Sequence, residues 1–331
     1  MTTARKMTQA VVVHKTGGPG VMQWESVPGQ ELAAGQVRIR HIAIGFNMID
    51  TYRRKGLYPM RMPFIPGSEA AGIVEESADA AGMFRTGERV VYAVAGTGAY
   101  CEQRVIDADK LIKLPDDIPP EVAAACFLKG LTVWALIFKV WKVKAGDTIL
   151  VYAAAGGVGT ILCQWAKKLS ARVIGVVGSD EKITVARQNG CDEVINYARS
   201  DIVKSVQGIT GGKGVDVVYD SMGQATFNTS LDTLRPHGLM VSYGNATGPV
   251  LPFDILELSK RGSLFLTRPQ MFSYVSTRPA LEEGAHALFE VVRSGAVRIH
   301  INQKFELKDA VKAHVAVESK QTTGATILVI S

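Results

Sequence analysis

The run Ala153-Ala-Ala-Gly-Gly-Val-Gly159 is the first place where residue type and spacing suggest chemistry. It follows an apolar, branched stretch, Ile149-Leu-Val151, that reads as a buried parallel strand. It leads into a segment whose apolar positions, Ile161, Leu162, Trp165, Ala166 and Leu169, keep helical spacing. Strand, glycine turn and helix make the context in which a dinucleotide's pyrophosphate is bound. The glycines let the backbone come close, and the opening turn of the helix offers unpaired N–H groups and a positive dipole end. Gly156, Gly157, Val158 and Gly159 form the candidate cradle. Ala154 stands in place of the first glycine of the common G-x-G-x-x-G pattern, so the match carries one substitution. The competing reading is a membrane helix, because Thr148–Ala166 lacks charge. Adjacent glycines and a change of period in mid-segment argue against it, as do the strand–helix repeats downstream.

The next strand decides which dinucleotide. An NAD-type site places an acid at its end, about 20 residues past the glycines, to hold the ribose 2′-OH. Here that strand ends Val176-Val-Gly-Ser-Asp-Glu-Lys182. Gly178 and Ser179 occupy the place, Lys182 lies one helical turn on, and Tyr197, ending the third strand, can close over the same spot. These donors suit a 2′-phosphate. Two charge-assisted hydrogen bonds at roughly 1.5–3 kcal/mol each give a preference for NADPH on the order of 10²–10⁴-fold. The bland alternative has Ser179 and Asp180 capping the following helix and Lys182 as a solvated charge. A small register shift would make Asp180 the ribose-binding acid.

At 331 residues the chain is long enough for two domains, and its 21% charged content is that of an ordinary globular protein. The net charge of +6 suits an anionic ligand, but Lys and Arg are scattered, so no nucleic-acid footprint emerges. Cys101, Cys126, Cys163 and Cys191 are too widely spaced for a zinc module or a disulfide framework. The segment 1–15 reads as neither a signal nor a transit peptide, so the expected location is the cytoplasm, with no membrane partner.

In the first third, short strands are expected at Ala10–His14, Val37–Ala43, Ala70–Glu75, Arg89–Ala93 and Tyr100–Ile106, punctuated by Gly and Pro. They imply a barrel-like β domain. A short helical turn is predicted over Asn47–Arg54, then helices over Glu121–Leu128 and Thr132–Val140. From there strands alternate with helices: Thr148–Tyr152, Arg172–Val177, Glu193–Asn196, Val215–Asp220, Leu239–Tyr243 and Ser263–Thr267. Helices at Val158–Ser170, Glu181–Asn189, Asp201–Gln207 and Gln224–Leu234 separate them. That rhythm is an α/β, doubly wound parallel sheet. Helices follow at Pro279–Ser294 and Ala310–Ser319, and the final strand, Ala325–Ile330, is expected to return to the first domain.

Several segments together resemble the medium-chain dehydrogenase/reductase superfamily, and within it the quinone oxidoreductase (zeta-crystallin-like) branch, bacterial members above all. They include Ala43-Ile-Gly-Phe-Asn-Met-Ile-Asp-Thr-Tyr52, Pro66-Gly-Ser-Glu-Ala-Ala-Gly72, Phe127-Leu-Lys-Gly-Leu-Thr132, the glycine turn itself, Val194-Ile-Asn-Tyr197 and Leu239-Met-Val-Ser-Tyr-Gly-Asn245. The resemblance implies a Rossmann domain over residues 129–277 inserted into a β-rich, GroES-like catalytic domain, residues 1–128 and 278–331. The superfamily's zinc alcohol dehydrogenases carry a ligand Cys where this chain has Asn47, and a ligand His inside G-H-E where it has Gly67-Ser68-Glu69. One carboxylate cannot build a tetrahedral zinc site, so no metal is expected. Without a Lewis acid the substrate must take hydride unaided, as quinones and α,β-unsaturated carbonyls do.

By the same resemblance Asn47, Asp50 and Tyr52 line the cleft near the nicotinamide, although their types alone also suit turn capping and packing. The implied cofactor contacts extend to Lys129, Thr132, Tyr243, Asn245, Thr267 and Lys320, the last where the family commonly has Arg. The expected activity is NADPH:quinone oxidoreduction. The alternatives are an NADPH-dependent enone or alkenal reductase and a non-catalytic NADPH-binding protein, crystallin-like or RNA-binding. Pairing of Ser263–Thr267 with its twin in a homodimer is also implied.

Overall fold

A computed structural model of the chain describes residues 7–330. Two units are distinguished by their internal contacts. The first comprises Met1–Lys129, Val275–Arg293 and Ile299–Ser331; the second comprises Gly130–Tyr274 and Ser294–Arg298.

The first unit is built on a seven-stranded sheet whose main path runs Ile301–Glu306, Ala325–Val329, Gln36–Gly45, Glu69–Ser77, Arg89–Tyr92, Ile112–Lys113, with Gln103–Asp107 also paired to Gln36–Gly45. In Gln36–Gly45 the buried residues Val37, Ile39 and His41 alternate with more exposed ones, the pattern of a strand with one face on the core. That face packs with Val74, Val90, Tyr92, Tyr100, Leu111 and Leu328. The chain's last strand does return here: Leu328 pairs with Ile44 and Val329 with Ala43, antiparallel. Met7–Val13 and Met22–Pro28 form a separate antiparallel ribbon. Met22–Pro28 and Ile301–Glu306 escape the sequence reading because both leave most of their residues partly or fully exposed and so lack a run of buried apolar positions.

The second unit holds a six-stranded parallel sheet in the order Glu193–Asn196, Arg172–Val177, Thr148–Tyr152, Val215–Asp220, Leu234–Ser242, Phe265–Thr267. In sequence rank this is 3-2-1-4-5-6, and the order reverses beside Thr148–Tyr152. Leu150, Tyr152, Ile174, Val176, Val218 and Met240 are buried together in its core.

Three local expectations need correction. The two helices predicted on either side of residue 130 are one, Pro120–Trp134, continued by a π-helical turn over Ala135–Val140. This helix is long and apolar enough to cross a membrane, but 78% of its most apolar window is buried inside the protein, as in a core helix. The helix expected over Gln224–Leu234 shrinks to Phe227–Asp232. The buried Asp220 carboxylate accepts the N–H groups of Met222 (2.6 Å) and Gly223 (3.1 Å) and the hydroxyls of Thr226 and Ser230 (both 2.7 Å), which holds the intervening residues as a loop. Finally, the strand expected over Ser263–Thr267 covers only Phe265–Thr267, because Ser263 has φ +56°, outside the extended region.

Candidate active site

In the second unit the glycine turn sits at the carboxyl end of Thr148–Tyr152, where the strand order reverses and ligands of such sheets bind. Ala153 leaves the strand at φ +51°, and the Gly156 N–H closes the turn on the Ala153 carbonyl at 2.8 Å. Helix Gly157–Lys168 begins directly after Gly156 with no side-chain cap, which leaves the first-turn N–H groups for an anion. Gly159 has a different task. A Cβ there would overlap the Ala153 carbonyl oxygen and come within 2.8 Å of Ala154 Cα, so this glycine permits close strand–helix packing. The methyl group that Ala154 adds to the pattern is accommodated by a second glycine: a Cβ on Gly175 would lie 2.9 Å from it. The turn therefore fits a pyrophosphate despite the substitution.

The neighbouring corner is equally specific. Tyr197 lies over Gly178, where any Cβ would come within 2.6 Å of the phenol oxygen. Ser179 donates its hydroxyl to Glu181, which holds that exposed carboxyl below its usual range. Lys182 lies in the first turn of helix Glu181–Gln188. Asp180 is fully engaged: Asn196 Nδ2 donates to its Oδ1 at 2.7 Å, and Arg199 is ion-paired with its Oδ2. Sequence reasoning assigned Asn196 and Arg199 no part; a strand-end amide followed three residues later by a cation was the available signal.

The next two strand ends are knitted together by backbone. Tyr243 N–H donates to the Asp220 carbonyl at 2.8 Å, and Ala246 N–H to that of Ser221 at 3.2 Å. This brings Tyr243 and Asn245 to one rim of the sheet, with Thr267 on the adjacent strand, one strand over from Val241. Thr132 also belongs to this unit, on helix Pro120–Trp134.

The first unit gathers the other predicted residues around two buried carboxylates. Asn47 precedes helix Met48–Lys55 in extended conformation, and Asp50 Oδ2 reaches back to accept its N–H at 3.1 Å. Capping, the bland role for Asp50, is thus real, but it is only part of the arrangement. Ser68 donates to Asp50 Oδ1 at 2.8 Å and accepts from Arg53 at 2.8 Å. Burial pushes the Asp50 carboxyl up to about 6, against the opposing pull of Ser68, Arg53 and Asn47. Tyr52 is packed edge-on to Tyr58, with centroids 5.7 Å apart.

Glu69, wholly buried, is the second centre. Its Oε1 accepts from Asn47 Nδ2 and from Lys129 Nζ, each at 2.8 Å, and its Oε2 from the Leu128 N–H at 2.6 Å. Gly45 makes room for this carboxylate, since a Cβ there would overlap Oε1. Asn47, Asp50 and Lys129 are thereby joined in one polar cluster with Ser68 and Glu69, two residues the sequence did not rank as members. Lys320 lies elsewhere in the unit's chain path, at φ +61° after helix Ala310–Glu318.

Residues 33–116 match the alcohol dehydrogenase GroES-like domain, and residues 157–290 match the zinc-binding dehydrogenase family. A quinone oxidoreductase of Salmonella typhimurium is 46% identical over 98% of this chain and all of its own length. The chain belongs to the quinone oxidoreductase family of the medium-chain dehydrogenase/reductase superfamily. The crystal structure of Escherichia coli quinone oxidoreductase complexed with NADPH superposes with a TM-score of 0.95, at 44% identity, covering 97% of this chain and 99% of that one. A 2-haloacrylate reductase from Burkholderia is 44% identical over 97% of this chain and 99% of its own length.

The zinc in one family description does not suit this member of the quinone oxidoreductase family. Both oxygens of Glu69 are taken, and a lysine ammonium occupies its flank. Among the described residues no group of three or more His, Cys, Asp or Glu side chains is placed to hold a metal ion. The donor set, an amide, a hydroxyl and a saturated carboxylate, does not fit zinc.

Proposed function

We propose that this chain is a zinc-independent NADPH:quinone oxidoreductase. The observation that carries the reading is the saturation of Glu69 by Asn47, Lys129 and Leu128, which leaves a family fold without a Lewis-acid site. An acceptor bound here must be electrophilic enough by itself, as a quinone is. The quinone oxidoreductases of S. typhimurium and E. coli, at 46% and 44% identity, support the same acceptor.

NADPH, when bound, supplies hydride from C4 of its nicotinamide. The uncapped N–H groups of Gly157, Val158 and Gly159, opened by Gly156, hold its pyrophosphate. Gly178 leaves room for Tyr197, which with Lys182, and with Ser179 once turned from Glu181, donates to the 2′-phosphate. Tyr243, Asn245, Thr267, Lys129, Thr132 and Lys320 complete the set of proposed contacts. Asn47 and Tyr52 offer an amide and a phenol to the acceptor or the carboxamide, and Asp50 fixes the start of their helix. Rate enhancement then rests mainly on orientation. A hydroquinone anion is delocalised and only moderately basic, so water can protonate it.

The test is to incubate the chain with NADPH and a naphthoquinone or phenanthrenequinone and follow the loss of reduced-nicotinamide absorbance. Binding without turnover would instead make it a non-catalytic NADPH-binding protein. Turnover of enals but not quinones would make it an enone reductase. The relationship to a 2-haloacrylate reductase favours that second reading above other rivals.

The chain acts in the cytoplasm on this reading. It also forms a homodimer through strand Phe265–Thr267. That strand ends the six-stranded sheet, with Phe265 60% exposed and Ile255 and Leu256 exposed as well, an apolar edge that a second copy would cover. Sedimentation as a monomer at micromolar concentration would exclude the dimer.

A further inference from the structure

Asp180 lies just past Gly178 and Ser179 at the strand end, within a small register shift of the ribose-binding acid of an NAD-type site, and both of its carboxylate oxygens are engaged by neighbours. Asn196 closes strand Glu193–Asn196, whose register sets it opposite Val177, the last residue of the neighbouring strand. Its Oδ1 accepts the Ala198 N–H at 3.0 Å, which fixes the amide so that Nδ2 faces Asp180. The same turn brings the Arg199 N–H onto the Asn196 carbonyl at 3.1 Å and sets the guanidinium against the other carboxylate oxygen. Asn196 is 7% exposed, whereas the Arg199 side chain is 73% exposed. The recorded pair uses one guanidinium nitrogen, and the fork has further donors facing solvent.

We propose that Asn196 and Arg199 form a clamp that sets the coenzyme preference of this chain. The clamp engages both oxygens of Asp180 and offsets its negative charge with a solvent-facing guanidinium two residues past Tyr197. The ligand class so favoured is an adenosine 2′-phosphomonoester. This rests on the NADPH reading above and adds to it two positioning residues. An exposed ion pair of this type contributes little to folding, so its removal is readable in binding.

The experiment is calorimetric titration of the full chain with NADPH, NADH, 2′,5′-ADP and 5′-AMP. It compares the unaltered protein with Arg199→Ala, Arg199→Lys, Asn196→Ala and the double variant Asp180→Asn/Arg199→Ala. Arg199→Ala should weaken NADPH and 2′,5′-ADP about tenfold or more, the loss of one charge-assisted contact. NADH and 5′-AMP should hold or tighten as Asp180 is released. Arg199→Lys should restore part of the preference, and the double variant should recover NADPH affinity relative to Arg199→Ala, since the freed acid no longer repels the phosphate. Equal losses for NADPH and NADH in Arg199→Ala, or no recovery in the double variant, would overturn the clamp. An unaltered protein that binds NADPH and NADH alike would overturn the underlying NADPH reading instead.

Discussion

Ser68 donates its hydroxyl to Asp50 at 2.8 Å, on a carboxyl that is 1% exposed and titrates at about 6. Two buried histidines in the same unit are displaced the other way by desolvation. His41, hydrogen-bonded to the Cys101 carbonyl and to Tyr92, falls to about 4, and His314, bonded to Tyr100, to about 3. A raised aspartate favours the folded state fully below 3.8 and loses that contribution as pH rises through about 6. A depressed histidine contributes above 6.5 and loses its contribution as pH falls toward its folded value. Near pH 5 the unfolded chain holds two histidine protons and the folded chain one aspartate proton. These three groups should make stability rise by about 1.4 kcal/mol per pH unit there. In Asp50→Asn the slope from the remaining pair should be about 2.7 kcal/mol per unit. Denaturant midpoints between pH 4.5 and 5.5 measure both, and an unchanged slope in the variant would contradict the assignment.

The buried Lys129–Glu69 pair should behave asymmetrically. Lys129→Met strands a wholly buried carboxylate and should cost about 3–5 kcal/mol, whereas Lys129→Met/Glu69→Gln should recover much of that. Equal destabilisation of single and double variants in chemical denaturation would show that the pair is not coupled.

At Gly178 the neighbour of an added methyl is the tip of a tyrosine, not backbone. Gly178→Ala should therefore change folding stability by under about 1 kcal/mol. By displacing Tyr197 it should weaken NADPH by about threefold to tenfold, a cost near 1 kcal/mol. Fluorescence titration and thermal melts on the same sample separate the two effects.

Gly159→Ala should do the reverse. Its methyl meets the Ala153 carbonyl and the Ala154 backbone, neither of which can rotate away. A loss of about 1–3 kcal/mol in stability is expected, with weaker coenzyme binding because the turn itself must shift. A melt identical to the parent's would refute the packing role.

Quinone turnover should survive prolonged dialysis against 1,10-phenanthroline, because the cluster around Glu69 offers no zinc ligand set. A loss of activity restored by added zinc would reverse that conclusion.

What the sequence disclosed depended on how local each signal was. The glycine turn and the alternation after residue 147 are periodic and contiguous, so the parallel sheet was legible to within a residue or two at most strands. Asp220 was not: one carboxylate gathering two N–H groups and two hydroxyls dissolves half a helix that periodicity supports. The polar cluster was half legible. Asn47 and Asp50 share a short motif, but Glu69 and Lys129 meet across 60 positions of sequence, and only folding joins them. Arg199 was invisible because an exposed arginine after a strand resembles any solvated charge until its partner is seen.

Strand Ala325–Val329 lies inside the seven-stranded sheet, between Ile301–Glu306 and Gln36–Gly45. Translation therefore produces most of the first unit's strands long before the one that completes their order. The uninterrupted stretch Gly130–Tyr274 can condense earlier, while the N-terminal strands wait with an open edge. For this chain the order of synthesis is not the order of completion: the first strands made belong to the unit whose sheet is finished last.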